Sequence, residues 1–464
     1  MHSRLMALTA SAVVVALSLA GCASDTGAKP QKDDSKLTIW TIEDKPDRLQ
    51  AQEKMLDAFS ASNDVDYELV PIAEDQLSSA LTAAAAANEL PDLVAALPLS
   101  NVHQFANDDL LDTEAAAEVV KKLDAGTFNK AALDLTRSGD TQLAVPSDAF
   151  PLMLFYRTDL FKAAGLDAPT DYPSVLEAAK KLNGNGVAGI SAATSAAEQF
   201  TSQTIESFGL SNDCQLVNGK GDLALDSDNC KTAFGLYTDL MSKYSVAGEQ
   251  DTATTRASYF AGQAAMVVWS SFLLDELAGL RNDALPTCDQ CVADPRWLAN
   301  NTGVVGGLQG PDASSPATYG EVVSFAIMRD AAPITKDLVS WLMSDSYIDW
   351  ISVAPEGKIP VRTGAEPGST EYVDGWADLE TGVDTREKLS ALYSPEVLDT
   401  VVGATNDIVR WGMTEGQGGL AGAMTTQRVL PTLFSDLIAS GGSLDDALVS
   451  ATDKAEQIKS GLGG

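Results

Sequence analysis

Residues 37–46 read Leu37-Thr38-Ile39-Trp40-Thr41-Ile42-Glu43-Asp44-Lys45-Pro46. LTIW is a short apolar strand, the charged turn ends it, and Pro46 opens a helix in which Leu49, Met55, Leu56 and Phe59 share one face. Val65, Tyr67 and Leu69 then alternate as a second strand. An Ala-rich helix from Asp75 to about Ala87 follows, and Pro91 to Ala96 reads as a third strand. Strand, helix, strand, helix, strand is the grammar of a parallel sheet covered by helices. Ligands of such sheets bind beyond the carboxyl ends of the strands, so the turns holding Asp44, Lys45, Ser100 and Asn101 are where a site is expected.

Further along, Leu143 to Tyr156 (LAVPSDAFPLMLFY) is extended, apolar and punctuated by proline, a candidate hinge. The α/β pattern then restarts. A helix around Leu160 to Ala164 turns at Gly165. A second runs from an N-cap at Ser174 to Leu182, Val187 to Ala192 forms a strand, and another helix covers Ala197 to Phe208. Tyr259 to Phe272 ends a helix at Gly262 and enters a buried strand that delivers an aromatic and hydroxyls at its tip. Gly320 to Val323 is extended, Lys336 to Met343 is helical, and the last hundred residues are mostly helix.

Upstream, Arg4 precedes an apolar run ending in Leu19-Ala20-Gly21-Cys22, a lipobox. Residues 1–21 are expected to be a removed signal peptide and Cys22 a lipidated N-terminus, each buried methylene adding about 0.8 kcal/mol of anchoring. The stretch to Ser35 lacks the bulky apolar residues needed to offset ordering entropy and reads as a tether. The expected location is the extracellular face of the cell membrane, with contact through the lipid only.

The remaining chain of about 440 residues exceeds what one core usually supports, so two domains are expected. The formal charge of the full sequence, −34, argues against nucleic acid or an anionic membrane surface as a ligand, since phosphates would be repelled. Downstream of the signal the sequence has one histidine, His103, and no phosphate-cradling loop, dinucleotide fingerprint or nucleophile elbow. Those absences argue against an enzyme, a metal receptor or a resident cofactor. Proximity in sequence pairs Cys214 with Cys230 and Cys288 with Cys291, as suits an oxidising compartment. The rival for Cys288-Asp-Gln-Cys291 is a redox motif or half a zinc site, which no second such motif or nearby histidine supports.

Four stretches, in order, resemble the extracellular sugar-binding lipoproteins of ABC importers, the maltose-binding-protein type. They are Phe155 to Leu166 (FYRTDLFKAAGL) with Ala178 to Leu182 (AAKKL), Tyr259 to Phe272, Lys336 to Ser344, and Gly357 to Val361 (GKIPV). Arg157 stands where the family usually has Asn, and Tyr172-Pro173 where it has Trp-Asp or Trp-Glu. The resemblance implies a two-lobe α/β periplasmic-binding-protein-like fold (type II, Venus flytrap) with hinge strands between lobes. The implied N-terminal lobe takes 36–150 and 324–354, and the C-terminal lobe 151–323 and 355–464. It implies a monomer that closes on a carbohydrate, mono- to oligosaccharide, and delivers it to the transmembrane permease subunits. Polyols, glycerophosphodiesters and polyamines are alternative ligands, and a two-carboxylate glycosidase is the enzyme alternative.

A sugar needs hydrogen bonds for its hydroxyls and aromatic rings for its C–H faces. Asp44 and Lys45 follow the first strand as an Asp-Lys pair does in the family, and Ser100 follows the third. Asp148 lies in the crossing segment, where the rival role is a hinge hydrogen bond. Trp269, Ser270 and Phe272 form the best cluster. Glu321 and Arg362 are candidates against a structural salt bridge, and Trp411 and Gln417 lie in a Gly-rich break that suits a cleft wall. Trp341 and Trp350 read as core.

Overall fold

The computed structural model describes residues 35–462; the signal segment, Cys22 and the tether up to residue 34 lie outside them. Strand β1 (Lys36–Thr41) points Leu37, Ile39 and Thr41 into the core. It pairs in parallel with β2 (Asp66–Pro71) on one side and β3 (Leu93–Pro98) on the other. Helix α1 (Pro46–Asn63) starts on its proline, buries Met55, Leu56 and Phe59, and stops where Asp64 takes a left-handed φ of 53°. The Ala-rich segment splits into a 3-10 turn, Glu74–Gln76, and helix α2 (Leu77–Ala87). Helix α3 (Leu99–Asn107) leaves directly from β3.

The 13-residue strand β4 (Val145–Arg157) joins the two halves of the nine-stranded sheet. Its side chains alternate, so Leu152 and Leu154 enter one core while Met153 and Phe155 enter another. Up to Pro151 its partner is the antiparallel β7 (Thr318–Ile327), and from Leu152 its partners are β5 (Met266–Ser270) and β6 (Thr302–Val305). β7 in turn pairs with β3. Two short strands, β8 (Ile359–Pro360) and β9 (Ile408–Val409), close onto β4 and β7. Five other strands, β3, β5, β6, β8 and β9, therefore pair with β4 or β7.

Some local readings need correction. The second-unit helix runs Tyr172–Leu182 and its N-cap is Asp171; Ser174, expected as the cap, is the reciprocal partner in a capping box. The expected strand Val187–Ala192 forms only isolated bridges, Ala188 to Ala264, Ile190 to Ser245 and Ser191 to Val267, because no single neighbour runs alongside it to supply a continuous ladder. Helix α4 occupies Gln199–Leu210. Both disulfides pair as proximity suggested, Cys214 with Cys230 and Cys288 with Cys291. Trp350 is core, and Trp341 is half-buried against Phe59 at 5.7 Å. No helix among the described residues is long and apolar enough to cross a membrane.

Candidate functional site

Because β1, β2 and β3 are parallel, their carboxyl ends lie on one edge, shared by the turns beginning at Ile42 and Ile72 and by the first turn of α3. Glu43 leads the first turn. Its carboxylate accepts from Arg48 Nη1 at 2.6 Å and pairs with Lys358 Nζ at 2.7 Å. Burial alone would raise its pKa, but Lys358 and Arg48 outweigh it and hold the group at about 2. Lys358 also reaches Asp148 Oδ1 at 3.3 Å and lies 4.5 Å from the Trp350 ring centroid. Burial opposes its charge, and Asp148 and Glu43 more than compensate, so its pKa rises.

A second ion cluster sits where β7 leaves the sheet edge. Glu321 accepts from the backbone N–H of Leu99 at 2.7 Å and from Arg410 Nη1 at 2.7 Å. Arg410 also donates to Glu206 Oε1 at 3.2 Å and stacks 4.4 Å from the Tyr319 ring. Burial raises the pKa of Glu206, and Arg410 opposes that rise. Glu74, exposed in the turn after β2, has no such partner among the described residues. Burial, then Glu321, Glu43 and Asp75, raise its pKa, although solvent still reaches it.

Phe150 lies opposite Glu321 on the neighbouring strand and opens a set of aromatic contacts. Phe272 meets Phe150 edge-on at 5.3 Å, and Trp269 meets Phe200 at 4.8 Å. The hydroxyls of Ser271, next to Phe272, and of Thr201 and Ser202, in the first turn of α4, are buried without a hydrogen-bond partner among the described residues. A buried hydroxyl left unpaired costs about 1 to 3 kcal/mol, which favours a polar guest or water there.

The sequence candidates divide. Phe272, Ser270 and Glu321 are half-buried along this edge, and Ser100 is half-buried on the first turn of α3. Trp269 is 6% exposed and joins these aromatic contacts through Phe200. Asp44 and Lys45 are exposed and 4.0 Å apart. Asp148, 0% exposed, accepts from Ser147 Oγ at 2.6 Å and Trp350 Nε1 at 2.8 Å, so it ties the crossing strands together. Arg362, 1% exposed, donates to Thr127 Oγ1 and to the carbonyls of Met343 and Leu123, all scaffold groups. Trp411 is 4% exposed, with its indole N–H on the Cys214 carbonyl at 2.7 Å. Gln417 precedes helix α6 (Gly418–Thr426) and donates its backbone N–H to Gly412 O.

Sequence reading missed Glu43, Glu74, Phe150, Glu206, Lys358 and Arg410. Glu43 and Arg410 directly precede chosen residues, and Glu74 occupies the turn after the second strand. That position is the signal that would have found it. The unusual Arg157 is held by Asp159 at 2.7 and 2.8 Å and lies 4.7 Å from the Trp297 ring, on the outer scaffold. His103 binds the Leu135 carbonyl at 2.8 Å, and burial lowers its pKa.

Comparison with known proteins places this architecture. Residues 45–278 match the family model described as bacterial extracellular solute-binding protein. A putative ABC transporter periplasmic-binding protein of Escherichia coli (strain K12), YcjN, is 24% identical, over 94% of this chain and 99% of that protein. The sugar-binding protein MalE from Xanthomonas citri superposes with a TM-score of 0.70 at 17% identity, over 91% of this chain and 97% of that one. A cyclic alpha-maltosyl-1,6-maltose binding protein from Arthrobacter globiformis gives 0.69 at 18% identity, over 91% and 98%. The two-lobe α/β fold expected from the sequence is the fold of these proteins. With half of its length matched by the family model, this chain belongs to the bacterial extracellular solute-binding proteins.

Proposed function

We propose that this protein is the substrate-binding subunit of an ABC importer, capturing a carbohydrate between its lobes and releasing it intact to the membrane permease. The observation that carries the reading is the aromatic pair Phe150 and Phe272, Phe150 lying opposite Glu321 on the neighbouring strand and Phe272 against Gly357, next to the Lys358 that pairs with Glu43. Aromatic faces suit sugar C–H surfaces, and carboxylates accept from sugar hydroxyls. Two structural neighbours point the same way, one solved in complex with cycloalternan and one with acarbose. The lobes divide at residues 150/151, 323/324 and 354/355 in this reading, and Cys22 carries the lipid that keeps a monomer at the extracellular membrane face.

The test is a thermal-shift screen over a carbohydrate panel. A sugar present at 100 times its Kd stabilises by about 2.7 kcal/mol and raises the melting temperature, and chromatography recovers it unaltered. A shift with amino acids or polyamines alone sinks the carbohydrate reading, and recovery of a cleaved sugar sinks the transport reading.

A further inference from the structure

Helices α3 (Leu99–Asn107) and α6 (Gly418–Thr426) are rooted in different cores. Val102 and Phe105 of α3 are buried with Leu77, Leu81 and Val94, whereas Leu420 and Met424 of α6 are buried with Phe208 and Phe434. Where the two helices meet, α6 presents glycines. A Cβ built on Gly418 would stand 3.1 Å from His103 Cβ, one on Gly419 3.9 Å from Asn107 Nδ2, and one on Gly422 4.0 Å from Ser100 Cβ. At Gly418 no side chain fits unless its neighbours give way, so the close approach depends on glycine there. Each helix is held from behind. The Leu99 N–H donates to Glu321 and His103 Nε2 donates to the Leu135 carbonyl, while ahead of α6 Gly412, at a left-handed φ of 72°, accepts from the Gln417 N–H. In the lobe division proposed above, α3 belongs to the first lobe and α6 to the second.

We propose that the glycine face of α6 is a latch that holds the two lobes closed on α3 in the resting protein, so that a guest enters only after the latch opens. The inference rests on the two-lobe reading above and deepens it. Carbon atoms in contact lie about 3.5 to 4 Å apart, so 4.0 Å between the Gly422 and Ser100 Cβ positions leaves no space for a sugar group between them. The contact is protein against protein, and its strength does not depend on a guest. It can also part. Separating glycines from Ser100, His103 and Asn107 exposes little apolar surface, and the hydrophobic cost of opening scales with that surface, so the latch yields while the core behind each helix stays intact. Uptake then waits on the open fraction of molecules. Ser100, read from the sequence as a ligand contact, is a latch contact in this arrangement.

The test is a cross-link in the full chain. Cβ atoms 4.0 Å apart lie within the span of a disulfide, so Ser100→Cys combined with Gly422→Cys is expected to link on mild oxidation with no sugar present, detected as a joined peptide in a non-reducing digest. The linked protein is expected to take up whichever panel sugar raises the parent's melting temperature at least tenfold more slowly, with recovery on mild reduction. Gly422→Trp, a wedge between the helices, is expected to enlarge the sugar-free protein in small-angle scattering, and Gly422→Ala, which fits the space, leaves its size unchanged. A link that forms only after sugar is added, a wedge variant of parental size, or uptake as fast through the link as without it each overturns the latch and leaves the carrier reading intact. Failure of every sugar to bind the parent overturns the carbohydrate reading, and the cross-link and scattering still decide the latch.

Discussion

Asp275, in the short helix α5 (Leu273–Leu277), is 0% exposed, and neither carboxylate oxygen meets a hydrogen-bond partner of good geometry. Burial, then Glu356 and Glu276, push its pKa up to about 8. A group protonated in the fold but ionised in the unfolded chain contributes stability that is complete below the ordinary carboxylate range. That contribution is lost as pH rises toward 8 and constant beyond. Asp275→Asn keeps the neutral shape without the titration. Urea unfolding at several pH values is therefore expected to show the variant gaining on the wild type by about 1.4 kcal/mol per pH unit up to pH 8. A constant difference across that range contradicts the assignment. The charged candidates were only partly legible at this scale. Asp148 and Arg362 carry the residue types of a sugar site, yet both are consumed by neighbours 200 or more positions away, Trp350 for one and Thr127 for the other. Nothing in local spacing reveals such a partner.

The elements themselves were far more readable. Parallel strands buried on both faces appear in sequence as continuous apolar runs, and β3 is one, while Pro46 and Gly165 marked a helix start and stop. Val187–Ala192 has strand composition but only bridging contacts, because extended backbone becomes a strand only if a neighbour supplies a ladder. The aromatic pair between β5 and β8 depends on close approach. A Cβ at Gly357 would stand 1.9 Å from Phe272 Cζ, so the ring lies flush on that backbone. Gly357→Ala is expected to push Phe272 off Phe150, destabilise the fold by about 1 to 3 kcal/mol and weaken ligand binding. Denaturant midpoints and titration of the variant check both, and unchanged affinity would detach Phe272 from the site.

Across the whole molecule, Lys358 joins the turn after β1, the crossing strand β4 and the segment leading into β8 through Glu43 and Asp148. Lys358→Met leaves Asp148 buried without its cation and Glu43 with Arg48 alone, and chemical denaturation is expected to show a loss of about 3 to 5 kcal/mol. In the wild type Glu43 has a depressed pKa, so its share of that stability is present above pH 4.5 and lost as pH falls through about 2. An unchanged denaturation midpoint in Lys358→Met would show the cluster to be incidental. Three properties were determined by sequence alone, namely the α/β grammar, the surplus of negative charge and the family likeness. All three arise from local pattern and composition, which the chain carries before it folds. Tertiary structure decided which charged groups were left over. Pairing Arg48 with Glu43, Arg410 with Glu321, and Lys358 with both Glu43 and Asp148 requires distant stretches to meet. Only after those pairs form do Glu74 and Asp75, in the turn after β2, stand out as carboxylates with neither an ion pair nor a hydrogen bond among the described residues.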